Sequence, residues 1–234
     1  MEELVDALLF YVAFVFSVTL HEAAHAWAAL RGGDKTAYLG GQVSIDPVPH
    51  MRREPIGMLV LPIVTVFMTG WPFGYASAPY NAEWARQHPK RAAWMALAGP
   101  AANAVLLVLA ALMIRVGVGM GALEAPSAVN LTQVVTAVPG AGGLASGIAF
   151  LLSAFFTMNL VLLLLNLIPV PPLDGSAAMP LILSPRWAER YRVFCAQPSF
   201  SLIGILIAWT LFGEILFPAF LIAVNLLYPE AQYG

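Results

Sequence analysis

Residues 5–30 read VDALLFYVAFVFSVTLHEAAHAWAAL, an apolar stretch that carries His21, Glu22 and His25 near its end. At a rise of about 1.5 Å per residue, a helix of this length crosses a hydrocarbon core of about 30 Å. Gly32 and Gly33 follow and are expected to end the helix. This stretch decides the fold class, because a helix of this kind requires a bilayer as its solvent.

The composition agrees with a membrane protein. Of 234 residues, 60% are hydrophobic and 10% are charged, whereas soluble domains carry about 25% charged residues. The net charge of −2 offers no electrostatic attraction to nucleic acid. The single cysteine, Cys195, excludes an internal disulfide and a four-cysteine metal site. We expect one intramembrane domain covering residues 1–234.

Four more apolar runs follow, at residues 56–68, 92–116, 144–167 and 200–228. The run at 56–68 is short for a crossing and favours a re-entrant or partly spanning segment. The last run is long for one upright helix and favours a tilted or kinked one. We therefore predict an all-α polytopic membrane protein with about four full transmembrane helices and one dipping segment. Small extended or β elements are expected near residues 38–48 and 74–79.

Basic residues predict the topology. Seven of them lie between the runs at 5–30 and 92–116, and three more follow the run at 144–167: Arg31, Lys35, Arg52, Arg53, Arg86, Lys90, Arg91, Arg186, Arg190 and Arg192. The positive-inside rule then places residues 31–91 and 168–199 in the cytoplasm. Residues 117–143, which are poor in charge, lie outside. Segment 56–68 must then enter and leave the bilayer by the same face.

His21 and His25 are four residues apart, so their side chains share one helix face within reach of a single ion. Imidazole is a good zinc ligand, and Glu22 can take a proton from an attacking water. Three ionisable groups in an apolar helix cost at least a few kcal/mol each, so a helix that only spans would not carry them. The pattern predicts a metal site.

A catalytic zinc needs a third protein ligand. Asp174 is our candidate, because Pro169, Pro171 and Pro172 before it forbid a regular helix and leave open backbone at a membrane boundary. The alternative is that Asp174 only caps a short helix at residues 176–183. The other histidines, His50 and His88, lie in basic loops.

Four motifs in order resemble the site-2 protease family of intramembrane metalloproteases, peptidase family M50. They are His21-Glu22-Ala-Ala-His25, the glycine-led loop Phe73-Gly74-Tyr75-Ala76-Ser77-Ala78-Pro79, Ala98-Gly99-Pro100-Ala-Ala-Asn103, and Asn166-x-x-Pro169-x-Pro171-x-Leu173-Asp174-Gly175. The chain looks most like compact prokaryotic members that have the catalytic core without PDZ or CBS domains. The resemblance implies a multi-pass protein of a prokaryotic cell membrane. The topology predicted from the basic residues puts His25 and Asp174 at the cytoplasmic ends of their segments, so we expect the active site toward the cytoplasm.

The resemblance also implies the site and the reaction. One zinc ion per chain would be held by His21, His25 and Asp174, with Glu22 as the catalytic base. Peptide bonds in or near transmembrane segments would be cleaved, in single-span or other membrane-protein substrates within the lipid bilayer. Asn166 would contact the substrate backbone or the oxyanion, and Asn103 would have a similar or a structural part. An interhelical hydrogen bond is the equal alternative for Asn103, and Asn159 matches no motif, which favours a structural role.

The loop of Gly74, Tyr75, Ala76, Ser77 and Ala78 departs from many relatives, which have Lys or Val where this chain has Ala76-Ser77-Ala78. A protease needs an extended substrate, and an exposed strand edge can hold one. We expect residues 74–79 to form such an edge.

Two other functions fit parts of the pattern. A membrane metal transporter or sensor explains buried histidine and aspartate, but it does not explain Glu22 or the single site. An inactive scaffold that binds transmembrane helices does not need an intact His-Glu-x-x-His sequence. The oligomeric state is not specified by the sequence.

Overall fold

The computed structural model of the chain describes residues 2–195 and 197–234, which are mostly helical. The helices are α1 Glu2–Gly32, α2 Thr36–Leu39, α3 Pro47–Arg53, α4 Leu61–Thr69, α5 Ala82–Gln87, α6 Pro89–Gly119, α7 Gly142–Leu167, α8 Asp174–Ala178, α9 Pro185–Cys195 and α10 Pro198–Leu227. A π-helical turn, Ile56–Val60, precedes α4, and a 3-10 turn, Met179–Leu181, follows α8.

Within the described residues, four helices are long and apolar enough to cross a membrane: α1, α6, α7 and α10. They coincide with the four long apolar runs, so the prediction of an all-α polytopic membrane protein is confirmed. The last run forms one helix with Pro218 inside it. The short run is the π-helical turn joined to α4.

Helices α1, α6 and α7 pack against one another, and α10 packs on α7. One apolar cluster joins α1 and α4 to α7 through Phe10, Phe14 and Met158. A second cluster joins α6 and α10 to α7 through Ile114 and Phe220. Helix α7 therefore lies at the centre of the bundle, which explains how it buries polar side chains on its surface.

Segment 56–69 runs beside α1 and then returns. Val66 and Gly70 line the same cavity as Glu3 and Ala7, near the N-terminal end of α1. The chain comes back without helix or strand through residues 72–81, past Phe14, which a β-carbon at Gly74 would contact. Ser77 Oγ then donates a hydrogen bond to Glu54 Oε1 at 2.5 Å. Glu54 and Ser77, which lie before the segment and after its return, are therefore in contact. Entry and exit by one face of a bilayer stays a prediction.

The small β element lies elsewhere than predicted. Residues 38–48 contain no strand in the described chain, and α2 and α3 occupy this region instead. Asp46 caps α3 by accepting from the Val48 N–H, and Pro47 occupies the first turn, where its missing N–H costs nothing. The sheet consists of β1 Leu123–Glu124 and β2 Thr136–Ala137, an antiparallel pair in the loop between α6 and α7.

Candidate metal centre

Helix α1 brings His21 and His25 together one turn apart, each about 5% exposed. Their Nε2 atoms lie 3.0 Å from each other. Glu22 follows His21 directly and is 7% exposed. Among residues 2–195 and 197–234, no group hydrogen bonds to the Glu22 carboxylate, so its oxygens are available to a bound molecule.

Asp174 reaches the two histidines from the other side of the centre. Its Oδ2 lies 3.0 Å from His21 Nε2 and 3.2 Å from His25 Nε2. It is the first residue of α8, whose N-cap is Leu173, and it makes no capping hydrogen bond. The structure therefore does not support a plain capping role for Asp174.

The first turn of α8, which carries Asp174, is packed closely against the end of α7. A β-carbon at Gly175 would lie 2.6 Å from the Ile168 carbonyl oxygen, so only glycine allows this approach.

Although burial raises the pKa of the Asp174 carboxyl, hydrogen bonds from His21 and His25 outweigh it and lower this pKa to about 2. The carboxylate is therefore ionised at neutral pH, as a metal ligand must be.

The other ring nitrogen of each histidine is also bonded. His25 Nδ1 lies 2.7 Å from the Met95 carbonyl oxygen, and His21 Nδ1 lies 2.5 Å from Asn103 Oδ1. A carbonyl oxygen only accepts, so Nδ1 of His25 carries a proton, and Nε2 is the ring nitrogen left to bind a metal once it is unprotonated. Hydrogen bonds of this kind orient the histidine ligands of metal sites.

The donor set fits a zinc ion. Three ligand atoms lie within 3.0–3.2 Å of one another, and tetrahedral zinc with bonds of about 2.0–2.1 Å places its ligand atoms about 3.3 Å apart. A proton bridges only two of three such atoms, whereas a metal ion contacts all three. His21, His25 and Asp174 are also the one group of three such side chains in the described residues that is arranged to hold a metal.

Gly99 on α6 leaves the space that the two rings occupy. A β-carbon there would lie 2.5 Å from His21 Nε2 and 2.6 Å from His25 Cε1. Pro100, inside the same helix, has no N–H for the Ala96 carbonyl, so this turn is irregular beside the histidines. The sequence 98–103 therefore serves the metal centre through Gly99 and Asn103.

The other two predicted asparagines, Asn103 and Asn166, differ in their contacts. Asn103 is fully buried and bonded to His21, Ser17 and Asn159, which favours the interhelical alternative over contact with substrate. Asn166 donates to the Leu162 carbonyl of its own helix and makes no hydrogen bond to the three clustered side chains.

The loop of residues 74–78 runs beside α1 rather than among these ligands. Its start is packed against Phe14, and residues beyond its end bond to Asp34, which follows α1. Because His21 and His25 lie between Phe14 and Asp34 along the chain, the loop passes their level.

Sequence reasoning assigns no role at this centre to Gly99, Asn159 or the Met95 carbonyl. The spacing along α6 does not reveal that the motif with Gly99 and Asn103 faces α1. Asn159 stands in an apolar helix, and the cost of burying its amide there is the signal that could have found it.

The fold and these side chains define a multi-pass membrane protein with a buried candidate metal centre of two histidines and one carboxylate. The chain belongs to peptidase family M50, whose model matches residues 9–211. No solved structure matches the chain.

The curated relatives that match this chain are named as zinc metalloproteases. "Putative zinc metalloprotease YwhC" of Bacillus subtilis (strain 168) is 29% identical over 70% of this chain and 64% of its own length. "Putative zinc metalloprotease Rip2" of Mycolicibacterium smegmatis is 29% identical over 86% of this chain and 66% of its own. Rip2 of Mycobacterium tuberculosis (strain H37Rv) is 31% identical over 83% and 63%. The chain thus spans just under two thirds of these relatives.

Proposed function

We propose that the protein is an intramembrane zinc endopeptidase that hydrolyses peptide bonds in or near the transmembrane segments of other membrane proteins. Regulated cleavage of single-span substrates is the use we expect. One zinc ion per chain is bound by His21, His25 and Asp174. The names of the relatives and the family support this assignment.

One observation carries the proposal. Three ligand atoms converge within 3.2 Å in a buried part of an apolar helix bundle. The carboxylate of Glu22, for which the described residues provide no hydrogen bond, stands beside them. A metal transporter needs ligands along a path, and a scaffold needs none. Only hydrolysis uses both the ligands and an adjacent base.

Each residue of the centre then has a task. When bound, zinc supplies Lewis acidity that polarises the scissile carbonyl and makes water a stronger acid. Glu22 accepts the proton of the attacking water and delivers it to the leaving amine. His21, His25 and Asp174 hold their ligand atoms in place through the contacts with Asn103, Met95 and the turn after α7.

We place the centre toward the cytoplasm of a prokaryotic cell. The basic residues of α3, α5 and α9 lie in the connections next to the metal-binding end of the bundle. By the positive-inside rule, these connections stay in the cytoplasm. Water then reaches the ligands from that side.

Residues 74–79 are our candidate for the substrate edge. Scaffold contacts use alternate residues: the Tyr75 N–H donates to the Gly57 carbonyl at 3.1 Å, and the Ser77 carbonyl accepts from Gln42 Nε2 at 3.2 Å. In an extended segment, successive residues direct their backbone groups to opposite sides. Ala76 and Ala78 then direct theirs away from the scaffold, and neither has a backbone hydrogen bond in the described chain. A substrate strand can pair with them.

The test of the reaction is Glu22→Gln, which keeps the shape of the side chain and removes the base. We expect the rate of cleavage of a purified single-span substrate to fall at least about 100-fold, because a general base contributes about 10²–10⁴. Zinc content, measured by mass spectrometry of the purified protein, stays at one per chain. Equal cleavage by the variant would refute the assignment of Glu22, and an absence of zinc in the wild type would refute the whole proposal.

The test of the edge is Ala76→Pro, with Ala76→Val as the matched control. Proline removes the Ala76 N–H, whereas valine keeps it and adds similar bulk. We expect slower cleavage with an unchanged zinc content for the proline variant only. If both variants cleave at the wild-type rate, residues 74–79 do not hold the substrate.

A further inference from the structure

Asn159 is a buried amide that no motif explains. It lies on α7, is 0% exposed, and sits in one of the most apolar parts of the chain. An amide buried in this way costs a few kcal/mol unless its hydrogen bonds are made. Its Nδ2 donates to the Phe155 carbonyl at 2.8 Å and to Ser17 Oγ at 3.0 Å.

The bond to Phe155 fixes the direction of the amide. A backbone carbonyl oxygen accepts and never donates, so the NH₂ end of Asn159 must face Phe155. Its Oδ1 must then face the other way, and there it accepts from Asn103 Nδ2 at 2.8 Å. The orientation of Asn159 is therefore set by the backbone of α7.

The same reasoning applies to the amide of Asn103. Its NH₂ end is directed at Asn159 Oδ1, with the Ser17 carbonyl a second acceptor at 3.5 Å. Asn103 Oδ1 is therefore left facing His21 Nδ1 at 2.5 Å. An oxygen at this position requires a proton on Nδ1, so in the neutral imidazole the lone pair lies on Nε2, which faces His25 and Asp174.

We infer that Asn159 is a positioning residue that acts through Asn103 to keep the proton of His21 on Nδ1 and its metal-binding lone pair on Nε2. This inference rests on the proposed metal site, but it concerns the direction of a hydrogen-bond chain across α7, α6 and α1. His25 needs no such chain, because the Met95 carbonyl fixes its proton directly. The two ligands thus differ in what holds them.

The test replaces Asn159 with leucine in the full-length protein. Asn103 then loses the partner that fixes its direction and can turn its NH₂ end toward His21. We expect the zinc affinity, measured by competition with a chelating dye, to fall about tenfold. This is the lower end of the about 10–100-fold range for outer partners of metal ligands, because Asn159 acts one step further out.

Thr157→Val is the matched control. Thr157 lies on the same helix, is also 0% exposed, and its hydroxyl has no hydrogen-bond partner in the described residues. A general disturbance of buried α7 would affect both variants, whereas the proposed chain is broken only by Asn159→Leu. Equal zinc affinities in the wild type and in a folded Asn159→Leu protein would overturn the inference.

The second measurement does not depend on zinc, and its result for the wild type alone can overturn the inference. Nitrogen-15 chemical shifts of labelled histidine, recorded on the metal-free wild type at alkaline pH, report which ring nitrogen carries the proton. We expect Nδ1–H for His21, and a mixture of both forms in Asn159→Leu. An Nε2–H form in the wild type would overturn the inference even if no variant folds. Failure of the proposed function appears separately, as loss of zinc binding by the wild type.

Discussion

Two regions of the helix bundle use buried polar groups in opposite directions. The first, called the loop end, is the loop between α6 and α7 with the side chains that bond to it. The second, called the metal end, is the proposed metal centre of His21, His25 and Asp174 with the groups that orient it. In the loop between α6 and α7, side chains satisfy the backbone: Ser153 Oγ accepts from the N–H groups of Val134 and Val135 at 3.0 and 3.1 Å. Tyr228 OH donates to the Val134 carbonyl at 3.1 Å. At the metal end, backbone carbonyls of Met95 and Phe155 orient side chains.

The comparison indicates that metal binding and folding stability depend on different parts of the bundle. Non-helical backbone at membrane depth must find partners inside the protein, so Ser153 and Tyr228 allow the loop to be buried. Buried ligands at the metal end must instead present their lone pairs in fixed directions. Backbone carbonyl oxygens fix these directions well, because they have no side-chain torsions that could change. Changes at the loop end should alter unfolding, and changes at the metal end should alter metal affinity.

The largest effect is expected for Gly99→Ala. The added methyl group would occupy the space of the His21 and His25 rings, so the ligand atoms can no longer converge. We expect zinc affinity to fall by more than the about 10–100-fold that follows loss of an outer hydrogen bond. Dye competition on the purified protein measures it.

Gly117→Ala, on the same helix at the loop end, is its control. The added carbon there meets the Leu123 side chain, with Cδ1 at 2.5 Å, and this flexible end can move. We expect unchanged zinc affinity and a change of about 1 kcal/mol or less in the free energy of unfolding, since helix propensity offsets crowding. Equal loss of zinc in both variants would show that the two ends are not independent.

A smaller effect, of the other kind, is expected for Ser153→Ala. Two buried N–H groups lose their acceptor, and each costs about 1–3 kcal/mol when unpaired. We expect the free energy of unfolding in detergent to fall by about 2 kcal/mol or more. Zinc affinity should stay within about twofold, because the hydrogen bonds of Ser153 in the described chain share no partner with those of the proposed ligands. Ser146→Ala, an exposed position of α7, should stay within about 0.5 kcal/mol. A tenfold loss of zinc affinity in Ser153→Ala would contradict the separation of the two ends.

The sequence predicted the ligands of the metal end better than it predicted the structure of the loop end. The His21–His25 spacing and the prolines before Asp174 are local signals, so these three side chains could be proposed and the structure brings them together. The links through Asn159, Asn103 and Gly99 join different helices, and no local pattern encodes which faces meet. The extended or β element expected near 38–48 does not form a strand in the described chain, because Asp46 and Pro47 begin a helix there. The observed sheet pairs Leu123–Glu124 with Thr136–Ala137 in a loop of mostly small residues, which has no alternating apolar pattern to predict it.

The smallest effect is expected at Tyr191, which tests an exception within the metal end. Its hydroxyl donates to the Pro169 carbonyl at 2.8 Å, so here a side chain of α9 serves the backbone of the turn that carries Asp174. Tyr191→Phe leaves a carbonyl near the surface that water can reach, and we expect a loss of about 0.5 kcal/mol in unfolding and no measurable change in zinc affinity by dye competition. Tyr38→Phe, whose exposed hydroxyl has no hydrogen bond in the described chain, is the matched control. A clear fall in zinc affinity for Tyr191→Phe alone would mean that Asp174 is held from α9 as well as by the close packing at Gly175. The metal end would then depend on side chains that serve backbone, as the loop end does.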